Sequence, residues 1–213
     1  MKLWIFGDSF SSNFTLGSKL TWIKDYIDYI GYEPKSYGNI MGDVLNYDVI
    51  NCAKSGNSNY DIFSSFLNNV DNIKKEDIVI IQFSSVYRFR LVNKNDEFES
   101  VSGGWNYLFN HFNESNLTIQ EIGINRLSKK YLTEIDDWIK VIKLLLPNDK
   151  LLFWTPFSES TGNPNILPLF NFTHIAEETN YKIKDSHYGE IGHKELSEYF
   201  LKIITKEKKL NLI

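Results

Sequence analysis

Three stretches far apart in the chain hold residue types that work together in acyl chemistry. Phe6-Gly7-Asp8-Ser9-Phe10 follows an apolar run and puts a hydroxyl on a turn. A serine where a strand gives way to a helix presents its hydroxyl at the carboxyl edge of a sheet, where open α/β folds bind ligands. Asn51-Cys52-Ala53-Lys54-Ser55-Gly56-Asn57-Ser58 offers a glycine whose N–H can approach a ligand closely. N–H groups aimed at a developing negative oxygen make an oxyanion hole. Asp185-Ser186-His187-Tyr188-Gly189-Glu190-Ile191-Gly192-His193 sets a carboxylate beside a histidine. Such a carboxylate fixes the imidazole tautomer and stabilises its cation, so that the imidazole can act as base for a serine hydroxyl. Each stretch alone also reads as plain structure: a turn after a strand, a helix cap, or a helix start with a surface histidine.

The elements that must position these stretches follow from short apolar runs alternating with segments of helical period. That is the pattern of βαβ units and a mainly parallel sheet. Lys2–Phe6, Tyr47–Asn51, Asp77–Phe83 and Lys150–Trp154 read as strands, with Tyr181–Ile183 as a short fifth. Asp77–Phe83 is nearly all apolar, as suits a strand covered on both faces. Trp22, Ile23, Tyr26, Ile27 and Ile30 recur at helical spacing up to Gly31. Ile40–Leu45 predicts a short helix, and Ser58 with Asp61 a capping-box-like start to one reaching about Val70. Gln120–Leu146, Leu169–Asn180 and Glu190–Lys206 complete the helices. Residues from about 84 to 118 break the rhythm with turn-rich Asn93–Asp96 and Gly103-Gly104-Trp105. A connection that long suggests an insert or lid within a single domain spanning residues 1–213.

Composition limits the function classes. A chain of 213 residues supports one full core without staples. With 42% hydrophobic and 23% charged residues it is no disordered chain, collagen or coiled coil. The single Cys52 excludes a disulfide framework and a cysteine zinc site, and the scattered histidines suggest no metal site. A net charge of -4 argues against nucleic acid as main partner, since phosphate binding needs a concentrated basic surface. The basic stretch Lys202–Lys209 reads as a solvated helix end. No apolar run nears the roughly 18 residues of a membrane span, and the start is too short for a signal-peptide core. The expectation is therefore synthesis in the cytoplasm, with the final destination left open.

Taken in order, after the first strand, after the second, and before the last helix, the three stretches resemble the SGNH (GDSL-type) hydrolase family. Gly7-Asp8-Ser9 matches its nucleophile block, and Asn51 through Gly56 with Ser58 looks like its glycine block. Asp185 and His187, with Gly192 behind them, look like its acid–base block. The resemblance spans almost the whole chain, but about twenty residues carry it. It implies a three-layer α/β/α flavodoxin-like sandwich with a mainly parallel, roughly five-stranded sheet. It also implies a serine esterase acting without cofactor or metal on a small-molecule or carbohydrate ester, O-acetylated sugars being common substrates in that family. Carried over, Ser9 is the nucleophile, His187 the base and Asp185 its orienting carboxylate. The N–H groups of Ser9 and Gly56 are two oxyanion donors. Asp8, Asn57 and Arg88 are the candidate substrate contacts; Arg88, following the third strand, reads first as a solvated arginine on a loop, with a place at the pocket rim reaching for a carboxylate, sulfate or sugar hydroxyl as the other reading.

Two departures stand out. The family acid usually sits three residues before the histidine, whereas Asp185 sits two before His187; Glu190 and His193 have the family spacing, but His193 falls inside the last helix. After the third strand the family usually offers Gly-x-Asn-Asp, whose Asn is a third oxyanion donor, whereas this chain reads Gln82-Phe83-Ser84-Ser85-Val86-Tyr87-Arg88. A hydroxyl of Ser84 or Ser85, or the Gln82 amide, stands in its place. Trp105, Tyr107 and Trp154-Thr155-Pro156 read as core, with an aromatic wall for a sugar or acyl chain as the other reading. His111 and His174 read as surface or packing residues. Besides hydrolysis, the same residues suit an acyltransferase, and the missing Asn suits a non-catalytic binding or structural protein, for instance on a cell surface or viral particle.

Overall fold

The computed structural model describes residues 1–86, 88–92, 98–101, 117–147, 150–157, 163–167 and 172–210. Four parallel strands form the main sheet: β1 (Lys2–Phe6), β2 (Asp48–Asn51), β3 (Ile78–Gln82) and β6 (Leu151–Trp154), in the order β2-β1-β3-β6. In register, Leu3 faces Val49 on one side and Ile78 on the other, and Val79 faces Leu151. The order reverses at β1, because the chain first adds β2 on one side and then β3 on the other. The carboxyl ends of β1 and β3 therefore flank a topological switch point, the crevice where such folds bind ligands.

Alternation along the strands sorts the core onto two faces. Trp4, Phe6, Val79, Ile81 and Phe153 pack with Ile62 and Phe66 of α3 (Asn59–Leu67) and Ile135, Ile139 and Ile142 of α4 (Leu117–Leu145). Leu3, Ile5, Ile78, Ile80, Leu152 and Trp154 pack with Tyr37 and Met41 of α2 (Tyr37–Leu45) and Leu196, Phe200 and Ile204 of α6 (Glu190–Leu210). The result is the expected three-layer α/β/α sandwich. Trp154 thus lies in the core, while Trp105, Tyr107 and His111 lie outside the described residues. A third cluster joins Phe14 and Ile175 to Ile23, Tyr26 and Ile27 of α1 (Thr21–Ile30). Among the described residues no helix is long and apolar enough to cross a membrane.

Some boundaries differ from the sequence reading. Tyr181–Ile183 is no fifth strand: it continues the turn after α5 (Ile175–Glu178), and Asn180 and Tyr181 take φ of 49° and 61°. Its β-branched and aromatic residues suit a strand, but left-handed backbone at Tyr181 cannot continue into one. Of the helix expected over Leu169–Asn180, only the α5 turn is helical among the described residues. Residues 84–118 contain an antiparallel pair, β4 (Phe89–Val92) with β5 (Phe98–Val101), and much of the expected insert lies outside the described residues. The cap on α3 holds as expected: Asp61 N–H donates to Ser58 Oγ and Ser58 N–H to Asp61 Oδ2, at 3.3 and 2.9 Å.

Candidate active site

The turn after β1 is set from beneath by β3. Gln82, the last residue of β3, accepts at Oε1 from Asp8 N–H (3.1 Å) and Ser11 Oγ–H (2.8 Å). Its Nε2 donates to Asp8 Oδ1 at 2.6 Å. The approach is close enough that only glycine fits at position 7: a Cβ there would lie 2.6 Å from Gln82 Oε1 and 2.8 Å from Ser11 Cβ. Asp8 folds its carboxylate back to accept Phe10 N–H at 3.0 Å, which bends the chain around Ser9.

The loop after β2 docks on the same turn. Gly7 O accepts Lys54 N–H at 3.2 Å and Asn57 Nδ2–H at 3.0 Å. Gly56 lies between these two contacts with φ of 86°. Among the described residues no hydrogen bond uses the backbone N–H of Ser9 or of Gly56. Backbone donors left unengaged are the groups from which an oxyanion hole is built.

The third stretch arrives from the far end of the chain. His187 Nε2 lies 2.7 Å from Ser9 Oγ, and His187 Nδ1 lies 2.6 Å from Asp185 Oδ1. The short spacing between acid and base works because the same Oδ1 also accepts His187 N–H, at 2.8 Å. Burial pulls the Asp185 carboxyl up, but the hydrogen bonds from the His187 ring and backbone outweigh it and hold the group below the ordinary carboxylate value. An ionised carboxylate can only accept, so Nδ1 carries the hydrogen, and in the neutral form of the ring Nε2 presents a lone pair to Ser9 Oγ–H. The arrangement can take a proton from the serine and return it to a leaving group.

Aromatic rings hold the imidazole. Trp22 stacks on it at 4.1 Å between centroids with planes 4° apart, and Phe10 at 4.6 Å and 29°. Trp22 was legible only as part of the apolar face of α1; nothing local to it signals the site. His193 is buried and stands apart from the line of Ser9, His187 and Asp185: its Nδ1 accepts Tyr37 N–H at 3.2 Å at the start of α2. His174 caps α5 and places Nδ1 2.5 Å from Ser186 O, bracing the strand of chain that carries His187.

The remaining candidates lie around Asp8. Ser84 is fully buried; its Oγ donates to Asp8 Oδ2 at 2.6 Å, and its backbone is gripped by the Asn59 amide, which accepts Ser84 N–H at 2.6 Å and donates to Ser84 O at 2.9 Å. Ser85 O accepts Arg88 N–H at 3.1 Å. Arg88 Nη1 reaches Asp8 Oδ2 at 2.8 Å and Asn57 O at 3.4 Å. Gln82, a sequence alternative for the missing donor, has its amide engaged by Asp8 and Ser11. Asp8 and Asn57 themselves thus serve the framework of the turn.

With a switch-point sheet and a serine, imidazole and carboxylate at its carboxyl edge, the fold is that of the SGNH hydrolases. No family model and no curated protein sequence matches the chain. Solved structures do. A carbohydrate esterase described for divergent catalytic and non-catalytic binding functions of its active site is similar at a TM-score of 0.50 and 14% identity, over 96% of this chain and 68% of that one. The acetyl xylan esterase Est2A from the rumen bacterium Butyrivibrio proteoclasticus is similar at 0.49 and 13%, over 96% of this chain and 64% of that one. The lipase Lip_vut3 from a goat rumen metagenome follows at 0.49 and 16%, over 95% and 96%. At these identities the likeness is one of fold.

Proposed function

We propose that the chain is a serine esterase that cleaves acyl esters through an acyl-enzyme, with O-acylated carbohydrate as the substrate class. One observation carries the reading: Ser9 Oγ, His187 Nε2 and Nδ1, and Asp185 Oδ1 form a single hydrogen-bonded line at the switch point. Ser9 Oγ attacks the ester carbonyl while His187 takes its proton. The carbonyl oxygen gains negative charge and is met by the N–H groups of Ser9 and Gly56. His187 then protonates the departing alcohol, leaving Ser9 acylated. A water deprotonated by His187 attacks the acyl group and releases the acid and free Ser9. The carbohydrate part rests on the carbohydrate esterase that shares the fold.

A fold kept for binding without turnover is the second reading. It is favoured by the engagement of both Ser84 Oγ and the Gln82 amide with the Asp8 framework, in a chain lacking the usual Asn. Turnover of p-nitrophenyl acetate and labelling by a fluorophosphonate, each compared with Ser9→Ala, separates the two. Both signals vanish in Ser9→Ala for an esterase; equal signals in the two proteins remove Ser9 from its role.

A further inference from the structure

We infer that Arg88 supplies the third oxyanion donor of the esterase just proposed, in place of the absent asparagine side chain. The inference rests on that esterase reading.

Position is the first argument. The Nη1 group of Arg88 bridges Asp8 Oδ2 and Asn57 O. Asp8 immediately precedes Ser9, and Asn57 immediately follows Gly56. The guanidinium is therefore tied to both loops that carry the free backbone donors, at the seam where those loops meet.

Donor capacity is the second. A guanidinium has five N–H groups in a fixed fork. The two contacts described engage Nη1, and Nε and Nη2 have no hydrogen-bond partner among the described residues. The side chain retains 16% exposure, so it is neither sealed in the core nor swept by solvent. Rotation away is blocked because the Asp8 carboxylate, with no exposure of its own, holds one nitrogen at 2.8 Å.

The engagement of Ser84 and Gln82, two of the three alternatives in the sequence, is the third. Ser84 Oγ already donates to Asp8 Oδ2, and Gln82 Nε2 to Asp8 Oδ1. Asp8 collects four donors: Phe10 N–H, Gln82 Nε2, Ser84 Oγ and Arg88 Nη1. Three of them satisfy the carboxylate without a cation. Of these four partners the arginine alone combines N–H groups without a hydrogen-bond partner among the described residues with a positive charge, the two properties a developing oxyanion calls on.

The test uses p-nitrophenyl acetate with the full chain and with Arg88→Ala and Arg88→Lys. Loss of one preorganised donor costs about 100- to 1,000-fold in kcat, with KM changed less than about threefold, because the contact forms only as charge develops. Arg88→Ala is expected to show that split and to recover turnover with added methylguanidine, which the unmodified chain does not. A purely structural arginine would lower folding stability and KM-side binding together and would show no rescue. Arg88→Lys keeps a cation on Asp8 and so guards against misfolding; its ammonium lacks the second nitrogen, and a kcat at least about tenfold lower is expected. Turnover within threefold of the unmodified chain in either variant overturns the inference while leaving the esterase reading intact. A fluorophosphonate signal equal in Ser9→Ala and in the unmodified chain defeats both.

Discussion

Trp22 lies flat against His187, with centroids 4.1 Å apart and planes 4° from parallel. The two residues come from opposite ends of the chain, and the stack, together with the Phe10 ring and the Asp185 contact, holds the imidazole in the plane that meets Ser9. Trp22→Ala frees the ring to rotate. Turnover is expected to fall about tenfold, since misplacement of a base by about an ångström has large kinetic effects. Trp22→Phe keeps a flat partner and should lose less than threefold. Steady-state kinetics on a chromogenic acetate ester reads the difference; equal rates for all three would remove the stack from any positioning role.

Asp185→Asn replaces an acceptor-only group with one that can donate toward Nδ1, which favours the wrong tautomer of His187. The expected loss in kcat is on the order of 1,000- to 10,000-fold, with folding preserved. Because hydrogen bonds hold the Asp185 carboxyl below its ordinary value of 3.8, its charge is present throughout the neutral and mildly acidic range. Its contribution to stability is likewise complete above that value and disappears only as pH drops through the lower folded value. A pH–rate profile should therefore show no ionisation of Asp185 above about pH 4. An activity of Asp185→Asn within tenfold of the unmodified chain would contradict the role.

His193 is expected to make the fold acid-sensitive. Burial, and secondarily the nearby His187, push its pKa from 6.5 down to about 3. The unfolded chain thus binds a proton that the folded chain refuses between those values. Stability from this source is complete above about pH 6.5 and declines as pH falls toward 3. At pH 5 the loss is about 2 kcal/mol, since each pKa unit is worth about 1.4 kcal/mol. His193→Asn keeps an acceptor for Tyr37 N–H and cannot take the proton. Urea midpoints at pH 7 and pH 5 should converge in the variant; an unchanged gap would exclude His193 as the source.

Gly7 and Gly56 are needed for different reasons, and alanine separates them. At Gly7 a methyl would meet Gln82 Oε1 at 2.6 Å and Ser11 Cβ at 2.8 Å, both in packed surroundings. Overpacking of that kind costs about 1–3 kcal/mol and would displace Ser9 as well. At Gly56 a methyl meets nothing within 4 Å, but φ of 86° strains any side chain. The cost there is about 1 kcal/mol, with turnover lowered if the loop relaxes and its N–H turns aside. Equilibrium unfolding beside kinetics distinguishes the two: stability falls more in Gly7→Ala than in Gly56→Ala.

Much of this molecule is readable without coordinates. The apolar runs at Lys2–Phe6 and Ile78–Gln82, the cap at Ser58 and Asp61, and the helical spacing in α1 are local signals, decided by side-chain period and turn chemistry over a few residues. The serine, the acid and the histidine are visible the same way, each beside the element that carries it. Tertiary structure decided what those signals do not encode. Tyr181–Ile183 has strand-like residues, yet the left-handed backbone at Asn180 and Tyr181 turns it away from the sheet. Trp22 on His187, and Gln82, Ser84 and Arg88 around Asp8, join residues more than seventy positions apart. No local preference specifies such contacts, because they exist only once the sheet has chosen its strand order and brought the ends of β1 and β3 side by side.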